Sequence, residues 1–243
     1  MKTFELKLRN DGATLTVYLP DASREMPRMA IKPAILVIPG GGYHMCSDRE
    51  AEPIALAYAS KGFAAFVLRY SVGEGKCFEM PLADVNEAME IIHANAEEWG
   101  VNKEKIASIG FSAGGHLCAA LATMGNIRPN ASILVYPCIL ESISDILAFP
   151  VPSLDEKVDE NTPATFITAS REDTCVPIKN SLAYATALEK AGIPFEIHIF
   201  EKGYHGYSLA DWTVYSKSEE EYCAHLQCWF DLSIKWLYKK FEL

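Results

Sequence analysis

The Gly-x-Ser-x-Gly pattern at residues 110–114 constrains the fold more than any other feature of the sequence. It follows a short apolar run at residues 105–109 and precedes an alanine-rich stretch. A strand, a tight turn and a helix in this order form a nucleophile elbow, in which a strained turn exposes the serine hydroxyl above a sheet. A glycine-rich turn with a surface serine is the alternative. The predicted strand and helix around the turn favour catalysis by Ser112.

The composition indicates an ordinary globular chain. Its 243 residues are 49% hydrophobic and 22% charged, which is enough to bury a large core in one domain. The net charge of −10 argues against nucleic acid or an anionic membrane as the main partner. No run has the apolar length of a signal or spanning segment, so we expect a cytoplasmic protein. The seven scattered cysteines contain no Cys-x-x-Cys pair, which predicts reduced thiols.

Strand and helix signals alternate along the chain. Residues 3–19 alternate apolar and polar around Asn10-Asp11-Gly12, which predicts an antiparallel hairpin. Continuous apolar runs predict buried strands, and amphipathic stretches bounded by proline or glycine predict helices. The predicted strands are 34–38, 63–68, 105–109, 132–135, 164–169 and 195–200; the predicted helices are 50–60, 81–99, the elbow helix, 178–190 and 218–239.

This alternation predicts an α/β fold. The expected architecture is a mostly parallel central sheet with an N-terminal antiparallel hairpin and helices on both faces. No repeat, linker or low-complexity tract divides the chain, so we expect a single domain over 1–243. The proline-containing stretch at about 137–163 is expected to form a loop region or a small cap.

A glycine run follows the predicted strand 34–38. In an open α/β sheet, functional groups gather beyond the carboxyl ends of the strands. The backbone N–H groups of Gly41 and Gly42, with that of Ala113, can stabilise the oxyanion of an acyl-transfer intermediate. A phosphate-binding loop is the alternative. It is disfavoured because neither a Gly-Lys-Ser/Thr ending nor a complete Gly-x-Gly-x-x-Gly is present.

Two further loops supply an acid and a base. Asp173 follows the predicted strand 164–169 and can orient a histidine, although a helix-cap carboxylate is the alternative role. The chain order Ser–Asp–His favours a late-strand acid, and Asp173 is preferred to its neighbour Glu172. His205 lies in a glycine-flanked loop after the last predicted strand, where it can take the proton of Ser112.

The other histidines are expected to have different roles. His93 and His225 fall on predicted helices and His198 within a predicted strand, so these three are predicted to be structural. His116 lies one helical turn beyond the elbow serine, where packing competes with function. His44, in the glycine loop, is predicted to line the site. The histidines show neither His-Glu-x-x-His nor close ligand spacing, so no metal is expected.

Four motifs together resemble the α/β-hydrolase superfamily, and more narrowly the acetyl esterase/lipase-like serine carboxylesterases. This group includes carbohydrate acetyl esterases and feruloyl esterase-like proteins, and the resemblance spans about residues 34–210. It implies that Ser112 is the nucleophile, His205 the base and Asp173 the acid, with Gly41 or Gly42 and Ala113 forming the oxyanion hole. The motifs are Pro39-Gly40-Gly41-Gly42-Tyr43, Gly110-Phe111-Ser112-Ala113-Gly114-Gly115, Arg171-Glu172-Asp173 before Val176-Pro177, and Gly203-Tyr204-His205-Gly206.

The glycine loop departs from one branch of that superfamily. The hormone-sensitive-lipase-like branch has His-Gly-Gly-Gly, whereas this chain has Pro39 at the first position. The charged segment at residues 47–53 resembles the sugar-esterase-like group, and its charges are predicted to tie the glycine loop down. A solvated helix start is the alternative. Tyr43, His44 and Tyr70 are the predicted substrate-lining residues.

These features predict a serine carboxylesterase that works through an acyl-enzyme without a cofactor. The expected partner is a small-molecule ester with a short acyl chain, including acylated sugars or oligosaccharides, and a homo-oligomer is compatible with the sequence. The stretch between Tyr136 and Pro163 is too short to form the large lid of a lipase. The alternatives are a small dipeptidyl-peptidase-like serine hydrolase and a noncatalytic α/β-hydrolase-fold protein that binds a ligand.

Overall fold

The computed structural model describes residues 1–215 and 224–243, and its centre is an eight-stranded sheet. Most strands are short apolar runs without exposed side chains, as expected for strands covered on both faces. The strands are β1 (Lys2–Lys7), β2 (Thr14–Leu19), β3 (Lys32–Ile38), β4 (Ala64–Arg69), β5 (Val101–Phe111), β6 (Ala131–Val135), β7 (Ala164–Ser170) and β8 (Phe195–Phe200). The helices discussed here are α1 (Glu52–Ala59), α2 (Glu79–Trp99), α3 (Ser112–Met124), α4 (Lys179–Ala191) and α5 (Cys228–Phe241).

The sheet is mostly parallel. Its strand order is β1-β2-β4-β3-β5-β6-β7-β8. Strands β1 and β2 form an antiparallel hairpin, and β2 also pairs antiparallel with β4. All other pairs are parallel, so the carboxyl ends of β3, β5, β6, β7 and β8 lie along one edge. The predicted fold class is therefore confirmed.

Helices cover both faces of the sheet. Alternate residues of a strand point to opposite faces. Leu36 of β3 packs in a core with α2, α3 and α4, whereas Ile35 and Val37 pack in a second core with α1 and α5. Both cores consist of fully or nearly fully buried side chains, which hold the strand ends in fixed positions.

Several element boundaries differ from the predicted ones. Strand β5 begins at Val101 rather than at residue 105, because Val101 pairs with Lys32 and extends the sheet at this end. Helix α1 is shorter than predicted, and a 3₁₀ turn at Asp48–Glu50 precedes it. The predicted start of the last helix near Ser218 lies outside the described residues.

The segment between β6 and β7 contains two short 3₁₀ helices, Glu141–Ile146 and Asp155–Lys157. It contacts the glycine loop directly, since the N–H of Ala148 donates to the carbonyl oxygen of Gly42 at 2.9 Å. Among the described residues, no helix is both long enough and apolar enough to cross a bilayer.

Candidate active site

Ser112 lies where β5 turns directly into α3. Its φ of +52° is in the left-handed region that residues with a Cβ rarely adopt. A Cβ at Gly110 would overlap the carbonyl oxygen of Gly114, and a Cβ at Gly114 would overlap the backbone at the end of β3. Both glycines therefore allow the close approach of strand and helix that holds the serine in this conformation.

The three residues predicted as nucleophile, base and acid are joined by hydrogen bonds. His205 Nε2 lies 2.8 Å from Ser112 Oγ, and His205 Nδ1 lies 2.7 Å from Asp173 Oδ2. Ser112 follows β5, Asp173 follows β7 and His205 follows β8, so the parallel sheet brings their loops to one edge. The side chain of Asp173 is 1% exposed and that of His205 is 20% exposed, whereas Glu172 is exposed and does not contact His205.

The contacts of Asp173 determine the tautomer of His205. Asp173 Oδ1 accepts hydrogen bonds from the N–H groups of Cys175 and Val176, both at 2.9 Å. The other oxygen, Oδ2, therefore faces the imidazole, and a carboxylate can only accept. His205 Nδ1 must carry the hydrogen of this pair. Nε2 is then free to accept the proton of the Ser112 hydroxyl.

The carbonyl groups of Gly41 and Gly42 are hydrogen-bonded to other backbone groups, whereas their N–H groups are not. Gly41 and Gly42 have φ values of +123° and +65°. The carbonyl of Gly41 accepts the N–H of His44 at 3.0 Å, and the carbonyl of Gly42 accepts that of Ala148 at 2.9 Å. The N–H groups of Gly41 and Gly42 bond to no described residue. That of Ala113, in the first turn of α3, has no carbonyl partner within the helix. These are the three N–H groups that the sequence predicts as donors to an oxyanion.

Side chains from three other segments anchor the glycine loop. Glu50 Oε2 accepts the N–H of Gly40 at 2.8 Å, and the hydroxyl of Tyr70 donates to the carbonyl oxygen of Pro39 at 2.7 Å. Glu50 Oε1 accepts the hydroxyl of Tyr136 at 2.8 Å. Burial raises the pKa of Glu50, and the hydrogen bonds from Tyr136 and Gly40 oppose that rise. The prediction that the segment at residues 47–53 ties the loop down is confirmed at Glu50.

The three predicted substrate-lining residues do not line the cavity beside Ser112. Tyr43 is 0% exposed and its hydroxyl bonds to His116 Nδ1 at 2.9 Å, while Tyr70 is 2% exposed. An aromatic ring with a polar tip packs well inside a core when a partner for its hydroxyl is available. Both tyrosines support the loop from the core side. His44 is exposed, and its ring lies beside Gly42, but it is not among the lining residues.

His116, for which the sequence left packing and function open, has the contacts of a structural residue. It is fully buried, and Nε2 bonds to the carbonyl oxygen of Pro152 at 2.9 Å while Nδ1 bonds to Tyr43. Burial lowers the pKa of His116 to about 4, so the ring is neutral at physiological pH. The residue therefore links α3 to the segment between β6 and β7 and carries no charge.

A cavity of about 270 Å³ opens beside the serine. Ser112, His205, Gly41 and Gly42 line it, as the sequence predicts. Several other lining residues come from loops whose sequences carry no local signal for the site. The apolar ones are Met45, Ile146 and Leu147, and the polar ones include Arg49, Cys138 and Cys175.

Two cysteines of the cavity differ in accessibility. Cys138 is buried with Sγ 4.0 Å from Ser112 Oγ, and burial raises its pKa to about 12. Cys175 is exposed, and its pKa is raised by partial burial and then by the charge of Asp173. Cys175 is therefore the thiol of the cavity that an alkylating reagent can reach.

Alkylation of Cys175 by iodoacetamide should block hydrolysis, because the adduct would fill part of the cavity. The thiolate is the reactive form, and a raised pKa leaves it scarce at neutral pH. The rate of inactivation should therefore rise steadily with pH between about pH 7 and 9. Loss of activity against time measures this rate. Cys175→Ser should resist, whereas Cys77→Ser, at another exposed thiol, should stay sensitive. A rate that does not depend on pH would contradict the prediction.

The sheet, the strained serine at the β5–α3 turn and the loops at the carboxyl edge define the chain as an α/β hydrolase. The BD-FAE family model matches residues 15–136, which include the glycine loop and Ser112. The Prolyl oligopeptidase family model matches residues 149–235, which include Asp173 and His205. The chain belongs to the BD-FAE family.

Three proteins similar to this chain have names that state a class or an activity. One is the crystal structure of MGS-M1, an α/β hydrolase enzyme from a Medee basin deep-sea metagenome library. Its sequence is 45% identical and its TM-score is 0.93, and the match covers 100% of this chain and 99% of MGS-M1. An acetylxylan esterase of Xylanibacter ruminicola is 31% identical over 88% of this chain, and an endo-1,4-beta-xylanase B of Butyrivibrio fibrisolvens is 35% identical over 73%. The chain spans 48% of that esterase and 33% of that xylanase. One of these relatives is thus named as an esterase and another as a xylanase.

Proposed function

We propose that this chain is a carboxylesterase that removes short acyl groups, acetyl above all, from small sugars or oligosaccharides. Ser112, His205 and Asp173 form its catalytic triad. The observation that carries the proposal is the continuous hydrogen-bonded chain from Ser112 Oγ through His205 to Asp173, beside the unpaired N–H groups of Gly41 and Gly42.

Acylation begins when His205 Nε2 takes the hydroxyl proton of Ser112. Oγ bonds to the ester carbonyl carbon, and the carbonyl electron pair moves onto its oxygen. The N–H groups of Gly41, Gly42 and Ala113 stabilise this oxyanion, and Asp173 stabilises the imidazolium. When the carbonyl reforms, the bond to the alcohol oxygen breaks, and His205 gives its proton to that oxygen. The alcohol leaves and the acyl group stays on Ser112.

Deacylation repeats these steps with water. His205 Nε2 takes a proton from the water as its oxygen bonds to the acyl carbonyl carbon, and the same three N–H groups face the second oxyanion. Collapse of this intermediate breaks the bond to Ser112 Oγ, which regains its proton from His205. The carboxylic acid leaves and the enzyme returns to its starting state.

The size and lining of the cavity support a short acyl chain. Its volume of about 270 Å³ is small, and Met45, Ile146 and Leu147 supply its apolar wall. The exposed guanidinium of Arg49 offers several N–H donors at the same cavity, which suits the hydroxyl groups of a sugar. Relatives named as an acetylxylan esterase and a xylanase favour an acetylated carbohydrate.

Activity on nitrophenyl esters should fall as the acyl chain lengthens from acetyl to octanoyl, because the small cavity cannot enclose a long chain. We expect kcat/KM to drop at least about 100-fold across this series, equivalent to about 2.7 kcal/mol of lost transition-state binding. Acetylated xylo-oligosaccharides should release acetate under the same conditions. Preference for emulsified long-chain triglycerides would contradict the proposed specificity.

Amide hydrolysis is a second candidate, favoured by the match of residues 149–235 to the Prolyl oligopeptidase family model. The same triad chemistry cleaves amides when the site positions a peptide. Assays of dipeptidyl nitroanilides beside nitrophenyl acetate distinguish amide hydrolysis from ester hydrolysis. Turnover of the amides at a kcat/KM equal to that of the acetyl ester would favour the peptidase.

A further inference from the structure

Glu50 is a buried carboxylate that the mechanism above does not use. It ends the 3₁₀ turn Asp48–Glu50, is 2% exposed and borders the same cavity as Ser112. Burying a carboxylate is costly unless hydrogen bonds compensate for the lost water. Both of its oxygens have such partners, and these partners belong to two different loops of the site.

The first partner is the glycine loop. Glu50 Oε2 accepts the N–H of Gly40 at 2.8 Å, immediately before Gly41 and Gly42. A Cβ at Gly40 would lie 2.7 Å from Oε2 and 3.0 Å from the Cβ of Ser112. The loop is thus held tightly between the carboxylate and the serine. Glu50 thereby sets where the next two N–H groups lie relative to Ser112.

The second partner is the loop after β8 that carries His205 and Ser208, called the histidine loop below. Tyr136 connects Glu50 to this loop. The Tyr136 hydroxyl donates to Glu50 Oε1 at 2.8 Å and accepts the N–H of Ser208 at 3.0 Å. Burial, and then the charge of Glu50, raise the pKa of Tyr136 far above its ordinary value, so the hydroxyl keeps its proton. The Tyr136 ring also meets the His205 ring edge to face, with centroids 5.0 Å apart.

Ser208 closes the connection. It follows His205 by three residues, and its hydroxyl donates to the carbonyl oxygen of Arg49 at 2.6 Å. The indole N–H of Trp229 donates to the carbonyl oxygen of Ser208 at 2.9 Å. The histidine loop is therefore hydrogen-bonded to the same turn that carries Glu50, and also to α5.

We propose that Glu50 is a positioning residue for ester hydrolysis, which joins the glycine loop and the histidine loop into one unit around Ser112. It acts through Gly40 and Tyr136 rather than by contact with the substrate. This inference rests on the proposed function of Ser112, His205 and Asp173.

Glu50→Gln tests the proposal with little change in side-chain volume. Glutamine offers one acceptor where two donors must be satisfied, so either Gly40 or Tyr136 faces its NH₂ group. We expect kcat on nitrophenyl acetate to fall about 100-fold, with KM changed by less than about threefold. A loss in kcat with KM preserved is the result that a positioning role predicts.

Tyr136→Phe keeps the ring on His205 and removes only the hydroxyl, so it tests the same connection should Glu50→Gln fail to fold. It should also lower kcat with little change in KM, because the Ser208 N–H and Glu50 both lose a partner. Glu52→Gln is the matched control. Glu52 is an exposed carboxylate two residues along the chain, so its removal should change neither kcat nor KM.

The outcomes separate this inference from the proposed function. Wild-type kcat in folded Glu50→Gln or Tyr136→Phe would overturn the positioning role. So would a lower melting temperature of Glu50→Gln as its sole effect. Wild-type enzyme without acetylesterase activity, or with a fluorophosphonate label away from Ser112, would instead overturn the proposed function.

Discussion

Replacing Ser112 with alanine should lower kcat for hydrolysis of a short-chain ester by about 10⁶-fold, as loss of the nucleophile does in other triad enzymes. Alanine keeps the Cβ that packs beside Gly40 and removes only the Oγ that attacks the ester. The remaining N–H donors and the cavity still bind the substrate, so KM should change far less than kcat. Initial rates on nitrophenyl acetate measure both quantities.

Covalent labelling tests the same assignment independently of turnover. A fluorophosphonate should modify wild-type protein at Ser112, located by peptide mapping, and should leave Ser112→Ala unlabelled. Ser60→Ala is a suitable control, because Ser60 is exposed and bonds only to the backbone of its own helix. It should keep both labelling and activity. A label on another serine, or substantial turnover by Ser112→Ala, would show that the nucleophile is wrongly assigned.

Asp173→Asn should lower kcat by about 10⁴-fold, although it preserves the shape of the side chain. The asparagine oxygen would stay with the N–H groups of Cys175 and Val176, because only an acceptor satisfies them. The NH₂ group would then face His205 Nδ1 and force that nitrogen to accept. The hydrogen would move to Nε2, which could no longer take the proton of Ser112.

Glu172→Gln is the matched control for this variant. Glu172 is exposed, and the structure gives it no contact with His205. Its kcat should stay within about threefold of wild type. Both variants are compared on one short-chain ester after their folding has been verified by circular dichroism. If Glu172→Gln is the inactive variant and Asp173→Asn the active one, the acid of the triad is wrongly assigned.

The fold class could be predicted from the sequence because turns, helix ends and buried strands depend on residues that are only a few positions apart. Gly12 adopts a φ of +81° in the first hairpin, and Gly100 ends α2 with a φ of +62°. Short apolar runs predicted the parallel strands. Pairing between distant strands moved their boundaries, as at Val101, because a strand end depends on its partner.

The sequence alone also predicted which loops form the candidate site. In a parallel sheet every strand ends at the same edge, so residues directly after β5, β7 and β8 must come near one another. Ser112, Asp173 and His205 could be chosen in this way, and the hydrogen bonds between them agree with that choice. Their catalytic roles stay a prediction until the variants above are measured.

Only the tertiary structure decided which side chains face the cavity and which are buried in the core beside it. Tyr43 and Tyr70 follow strands, as the site residues do, yet both point into the core. Glu50 and Tyr136 meet 86 positions apart in the chain, and Tyr136 and Ser208 meet 72 apart. A position directly after a parallel strand predicts the edge of the sheet at which a residue lies, but not the direction of its side chain. That direction depends on how loops from separate strands pack, which no local pattern in the sequence encodes.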